Sequence, residues 1–147
     1  MIKSIYLAVI ERLKQIKDAE GNSKIKYFDL WNHNVEFIEQ ETAFDTPAAF
    51  VEFGTIDWTT LAGGIQQANV VVSLHIVTAY KGASSDGSVD QSEAISHFEL
   101  LDEIGRVMFG LKGEGFQAFK RIRSQTNHNH EELIENIETF STFVIDK

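Results

Sequence analysis

Hydrophobic residues recur at every third or fourth position in two parts of the chain. The first part covers residues 2–17 and is followed by Gly21. The second starts near Glu93, just after Ser92, a suitable N-cap residue, and ends at Gly110. This spacing places the hydrophobic residues of each part on one face, so both parts are predicted to form amphipathic helices. In the second helix the predicted core positions are Ile95, Phe98, Leu101, Ile104, Met108 and Leu111.

Shorter hydrophobic or alternating runs predict strands, which are expected at 24–31, 48–53, 65–80, 118–127 and 134–146. The connection between the second and third of these is expected to carry one further short strand. The longest run, at 65–80, has one apolar face and one mixed face. This pattern is typical of an antiparallel sheet with helices on one side. His75 belongs to the mixed face, where we expect it to be half-buried or exposed to solvent.

The order of these elements is helix, several strands, helix and two strands. This order predicts an α+β fold with a mainly antiparallel sheet of about four to five strands, packed with an N-terminal helix and a central helix. The chain of 147 residues is 43% hydrophobic and contains 11 Phe, which is enough for one core. Residues 1–147 are therefore expected to form a single domain, since no linker divides them.

Composition narrows the functional classes. No hydrophobic run approaches the roughly 20 residues of a membrane-spanning helix, and the charged N-terminal run is not expected to be a signal peptide. The absence of cysteine excludes disulfides and thiolate metal ligands. A formal net charge of −9 argues against sequence-specific nucleic-acid binding. The basic run at 119–123 is a local exception to that charge.

The Gly-rich segment after the longest strand has the position of a nucleotide-binding loop but lacks its chemistry. A phosphate loop needs a lysine after its glycines, whereas Lys81 precedes Gly82 and no lysine follows before the helix. The acidic Asp86 and Asp90 would also repel a phosphate. We therefore predict a long exposed loop and no bound nucleotide.

Two histidines are the only candidates for a metal site. His128 and His130, with two glutamates directly after them, could offer imidazole and carboxylate ligands. A polar turn between two strands explains the same residues, so no metal or other cofactor is expected. No catalytic residues are nominated, because Asp57 and Asp102 have no evident Ser or His partners and no G-x-S-x-G motif occurs.

Three large aromatic residues lie near predicted loops. Trp31, Trp58 and Phe119 could anchor an interface, although packing in the core is the more common role of such side chains.

Taken along its whole length, the chain resembles the phage tail terminator or tail-completion proteins, a family of small minor tail proteins. The resemblance rests on the N-terminal helix "IYLAVIERLKQI", the strand "YFDLW" and the stretch "TPAAFVEFGTIDW". The run "GGIQQANVVVSLHIVTAY", a variable loop and the helix "HFELLDEIGRVMFGL" follow. The ending "FKRIRSQTNHNHEELIENIETFSTFVID" completes it.

The resemblance implies a structural role without catalysis. Such proteins cap the end of the tail tube, stop its growth and form the surface that joins the head, commonly as a hexameric ring. The implied partners are further copies of the chain, the tail tube protein and a head-completion or connector protein, in the host cytoplasm during assembly and then in the virion. Residues expected at the partner or lumen interface are Gly82, Ser84, Asp86 and Asp90 of the acidic loop, and Trp58.

Two alternatives remain open at this point. The protein could be a different neck or head–tail connector subunit that binds the portal side. It could also be a small metal-dependent enzyme that uses His128 and His130.

Overall fold

The computed structural model shows a mixed sheet covered on one face by two helices. It describes residues 1–32, 44–80, 85–88, 91–127 and 132–147, to which all structural statements refer. The helices are α1 (Ile2–Leu13) and α2 (Gln91–Met108), and a short 3-10 helix covers Ala62–Gly64. The strands are β1 (Tyr27–Leu30), β2 (Ala48–Phe53), β3 (Thr59–Thr60), β4 (Gln66–Ala79), β5 (Lys120–Asn127) and β6 (Leu133–Asp146). The predicted α+β class is confirmed.

Two long strands form the centre of the sheet. β4 and β6 pair antiparallel over 14 residues each, from Gln66 opposite Asp146 to Ala79 opposite Leu133. The strand order is β1-β2-β4-β6-β5, and β3 pairs with one end of β4. The sheet therefore has six strands in the described residues, and one of them is the two-residue β3, in the connection where a further short strand was expected. All pairs are antiparallel except β1 with β2.

The core lies between the sheet and the two helices. α1 contributes Ile5, Val9 and Leu13, all fully buried. The predicted apolar face of β4 is buried against them, since the even-numbered residues from Val70 to Ile76 are inaccessible to solvent. Phe140 and Val144 extend the same core along β6. None of the described helices is long and apolar enough to cross a membrane.

The first helix is shorter than its hydrophobic pattern predicts. α1 ends at Leu13, although Ile16 remains buried in the core. The Oδ1 atom of Asp18 accepts hydrogen bonds from the backbone N–H groups of Glu20 and Asn22, at 2.9 and 3.0 Å. These bonds, led by the one from Asn22, lower the pKa of Asp18. The chain thus reverses in a turn organised by Asp18, which replaces the last turn of the expected helix.

The second helix has a different set of buried residues from the set predicted. Leu101, Ile104 and Met108 are buried as predicted, but Ile95 and Phe98 are about half exposed. The prediction that these two belong to the core was wrong. The buried stripe continues instead through two other residues of the first turns, Ala94 and His97. A pattern based on apolar residues alone passes over a buried histidine and selects its neighbour.

Candidate functional site

Side chains of three neighbouring strands form a polar cluster on the sheet face opposite the helices. Glu52 of β2, His75 of β4 and Glu135 of β6 are diagonal neighbours in the strand register. His75 Nε2 donates a hydrogen bond to Glu52 Oε2 over 2.6 Å. Its Nδ1 atom lies 3.8 Å from Glu135 Oε2. The imidazole is therefore held between two carboxylates.

Two members of this cluster, His75 and Glu135, are shielded from solvent, whereas Glu52 is exposed. The Trp31 ring stacks on the His75 ring, with 3.8 Å between centroids and 3° between planes. His75 is buried, so the prediction of a half-buried or solvent-facing side chain was wrong. Glu135 is buried too, and its Oε1 atom accepts a hydrogen bond of 2.6 Å from Asn127 Nδ2. The contacts of His75 with the exposed Glu52 and the buried Glu135, and of Glu135 with Asn127, tie β2, β4, β5 and β6 together.

A second polar network lies beneath α2, on the helix-covered face. His97 is 2% exposed and bonds to Thr78 Oγ1 through Nδ1 (2.7 Å) and to Asn136 Oδ1 through Nε2 (2.9 Å). The Asn136 amide nitrogen donates to Thr126 Oγ1, at 3.0 Å, so its oxygen faces the imidazole. Nε2 must then carry the proton, and Nδ1 accepts from the Thr78 hydroxyl. Desolvation lowers the pKa of His97, opposed by the Asn136 bond.

A cleft of about 460 Å³ lies beside this network. Its lining includes Lys24, Lys26, Glu93 and Glu99 together with His97. Lys24 is paired with Glu103 at 2.5 Å. Both ring nitrogens of His97 are already bonded within the protein, so the imidazole holds α2 on the sheet. We assign no chemistry to this cleft.

A basic surface runs along the edge of the sheet next to α2. Strand β5 is the last strand on that side, and its residues from Lys120 to Thr126 are exposed. A groove of about 530 Å³ separates the start of β5 from the C-terminal half of α2. Its lining residues are Asp102, Gly105, Arg106, Phe109, Lys120 and Arg121.

Glycine in the helix makes room for one of these arginines. A Cβ atom on Gly105 would meet Arg121 Nη1 at 2.6 Å, so the guanidinium occupies the space that a side chain would fill. Arg121 Nη1 also lies 3.6 Å from the buried carboxylate of Glu138. The Ser124 hydroxyl bonds to the same Glu138 oxygen at 2.5 Å. The guanidinium of Arg121 is thus held in place by Gly105 of α2 and by the buried Glu138.

Two of the residues predicted at the partner or lumen interface, Trp58 and Asp86, lie in the described part of the chain. Trp58 precedes β3 and is 38% exposed. Phe119, the other aromatic residue considered as an anchor near β5, is buried in the core. Asp86 is exposed in a turn, where Gln91 Nε2 donates to its Oδ1 atom over 3.4 Å. The other predicted interface residues (Gly82, Ser84 and Asp90) and the metal candidates (His128 and His130) lie outside the described residues. Within the described ranges no group of three His, Asp or Glu side chains could hold a metal ion.

Comparison with known proteins finds a likeness in fold. No family model matches the sequence, and no curated protein matches it significantly. A solved structure titled "Virion of native gene transfer agent (GTA) particle" contains a chain that matches with a TM-score of 0.59 and 12% identity. The match covers 97% of this chain and 95% of that chain. The two chains share a fold.

The likeness to the gene transfer agent chain concerns the whole fold and not one part of it. It extends over nearly all of both chains. At this identity the likeness shows the fold alone, and equivalent side chains are not implied.

Proposed function

We propose that this protein is a structural subunit of a phage-like virion. The observation that carries the proposal is the likeness in fold, over almost the full length of both chains, to a chain of a gene transfer agent virion. The sequence resemblance to tail terminators points to the same kind of particle by a separate route. No catalytic step is assigned to the protein.

More specifically, we propose that the protein caps the tail tube. The protein binds the end of the tube, stops its growth and provides the surface that joins the head. It does so as a ring, a hexamer in the form that the sequence resemblance implies. The residues expected to meet the tube or the lumen are Trp58 and the acidic loop. Among the described residues of this set, Trp58 and Asp86 have exposed side chains.

The polar clusters on the two faces of the sheet support a structural role. Glu52, His75 and Glu135 make their contacts across strands, and His97 makes its contacts between α2 and the sheet. Each cluster fixes one element against another. Such networks suit a subunit that must keep one shape in an assembly.

Deletion of the coding sequence from the genome that encodes this chain tests the proposal. We expect free heads and tails of abnormal and variable length in electron micrographs, because nothing stops tube growth. A connector on the portal side would instead leave tails of normal length detached from heads. Normal particles after deletion would contradict a virion role altogether. Complementation with the intact chain is the control.

A further inference from the structure

One exposed face of α2 carries three large apolar side chains. Ile95, Phe98 and Phe109 are 48%, 54% and 72% exposed. The N–H group of Phe109 donates to the carbonyl four residues before it over 3.2 Å, so the helical backbone continues to this residue. At 3.6 residues per turn these three residues share about 80° of the helix circumference with one acidic and one basic residue. We call this face the α2 stripe, which consists of Ile95, Phe98, Asp102, Arg106 and Phe109.

We propose that two copies of this chain form a two-fold dimer through the α2 stripe, with their α2 helices antiparallel. The order of the side chains along the stripe is the first argument. From Phe98 through Asp102 and Arg106 to Phe109, the order is aromatic, acidic, basic, aromatic. On a reversed helix the order becomes aromatic, basic, acidic, aromatic. A two-fold contact therefore brings every one of these side chains to its complement on the second copy.

The spacing of these residues fits a single two-fold axis. The midpoint between Phe98 and Phe109 lies halfway between residues 103 and 104, and the midpoint between Asp102 and Arg106 lies at residue 104. The two midpoints differ by half a residue, which is about 0.75 Å along the helix. One axis thus places Phe98 against Phe109 of the second copy. The same axis places Asp102 against Arg106 of the second copy, and each contact occurs twice.

The two charged residues are available for this contact. Both side chains are exposed, and within the described ranges neither Asp102 nor Arg106 has an ion-pair partner in its own copy. Parallel helices would place Asp102 on Asp102 and Arg106 on Arg106, where like charges repel. The antiparallel arrangement forms two ion pairs between the aromatic contacts instead. The order of the charges thus selects the direction of the second helix.

The surface beside the stripe leaves room for a side chain of the second copy. The groove of about 530 Å³ between α2 and β5 adjoins the stripe, and Gly105 and Phe109 belong to its lining. Gly105 places no side chain in this groove, and the Arg121 guanidinium lies against its backbone. The Phe98 ring of the second copy enters the groove beside Phe109. Aromatic and arginine side chains are the residues that contribute most to binding at protein interfaces.

This dimer goes beyond the proposed cap and does not depend on it. A two-fold contact uses the same surface on both copies and is complete after two, whereas a ring repeats a contact between two different surfaces. The dimer is therefore a state of the chain before assembly. Single exposed apolar residues are common on monomers, but three on one helix face form a patch that self-association removes from water.

Charge reversals at the centre of the stripe test the contact. Asp102→Arg replaces both ion pairs of the dimer with pairs of arginines, and Arg106→Asp replaces them with pairs of aspartates. When the two variants are mixed, a heterodimer regains two ion pairs, one of native and one of reversed polarity. This rescue requires that position 102 of one copy faces position 106 of the other.

Matched controls make the same changes of charge elsewhere. Glu11→Arg and Lys3→Asp alter exposed positions of α1. Phe109→Ser removes an aromatic contact from the stripe without a change of charge. Unfolding temperatures like that of the wild type establish that each variant is folded.

Self-association is measured by sedimentation over a concentration series. Native mass spectrometry of mixtures, with one variant isotope-labelled, identifies heterodimers. The wild type and both controls are expected to form the same dimer. Each reversal alone, and Phe109→Ser, should weaken association at least roughly tenfold, and the mixture of the two reversals should return to within about threefold of the wild type.

Three results would overturn the inference. They are a wild type that stays monomeric over the series, single reversals that associate like the controls, and a mixture of the two reversals that associates no better than either alone. None of them affects the virion role, which deletion of the coding sequence tests separately. If the wild type is monomeric and Asp102→Arg is nevertheless excluded from particles, the stripe binds another virion protein, which refutes the contact between copies and leaves the virion role intact.

Discussion

The network around His97 yields the most direct prediction about stability. We consider His97→Leu, which places an apolar, helix-forming side chain at this buried position of α2 and removes both hydrogen bonds. The variant leaves the Asn136 oxygen without its donor and the Thr78 hydroxyl without its acceptor. Asn136 is 6% exposed, so water cannot readily replace the lost bond.

The expected cost follows from these two atoms. A buried polar group left without its partner costs about 1–3 kcal/mol, and the half-buried Thr78 should lie at the low end. We expect the free energy of unfolding to fall by about 2–3 kcal/mol. For a domain of this size that corresponds to a decrease in the unfolding temperature of roughly 4–12 °C.

The stability difference between wild type and His97→Leu should also depend on pH. Because desolvation lowers the pKa of His97 in the folded state, the unfolded state takes up the proton first as the pH falls below about 6.5. The wild type therefore loses the stability that comes from His97 between about pH 6.5 and its lower folded pKa. The difference between wild type and His97→Leu should shrink over that window, by at most about 1.4 kcal/mol per pH unit.

The assay is urea unfolding of wild type, His97→Leu and the exposed control Ser96→Ala between pH 5 and pH 8. The double variant His97→Leu with Asn136→Leu should cost less than the sum of the single changes, because both partners are then apolar. A His97→Leu protein within about 0.5 kcal/mol of the wild type at pH 8 would refute the account. A difference that grows toward low pH would refute it as well.

Three further predictions concern a turn, the acidic loop and the metal candidates. Gly110→Ala should lower the free energy of unfolding by about 1–2 kcal/mol, because Gly110 has a φ of 79°. The control Gly54→Ala should change it by less than about 0.5 kcal/mol, because the new Cβ would lie 3.6 Å from Val71, an ordinary van der Waals contact. Chemical unfolding measures both. Asp86→Asn combined with Asp90→Asn should leave the unfolding temperature unchanged and reduce the yield of joined particles, and an unchanged yield would remove the role of the acidic loop. Elemental analysis of purified protein should find no stoichiometric metal, whereas a metal lost on His128→Ala would favour the enzyme alternative.

The sequence predicts the sheet centre and the helices well because their patterns are long. β4 repeats an apolar residue at every second position, and its predicted range of 65–80 differs from the observed strand by one residue at each end. β2 is predicted at its observed bounds. The prediction of the first helix runs too far because the hydrophobic pattern continues to Ile16, although α1 itself ends at Leu13.

The polar clusters could not be predicted because they depend on register. Glu52, His75 and Glu135 are far apart in sequence and become neighbours only when β2, β4 and β6 align. A histidine within an apolar strand is the one signal that the sequence offers, and it does not identify its carboxylate partners. The location of the basic run at 119–123 escapes prediction for a similar reason. The basic run is visible in sequence, but its position at the sheet edge beside Phe109 is set by the strand order.

Binding to isolated tail tubes tests the central claim most directly. Gold-labelled protein is mixed with purified tail tubes encoded by the same genome, and the labels are located by electron microscopy. A cap predicts label at one end of each tube only, and tubes that no longer elongate when tube protein is added. Label along the whole tube, or tubes that bind no protein and continue to grow, would contradict the account.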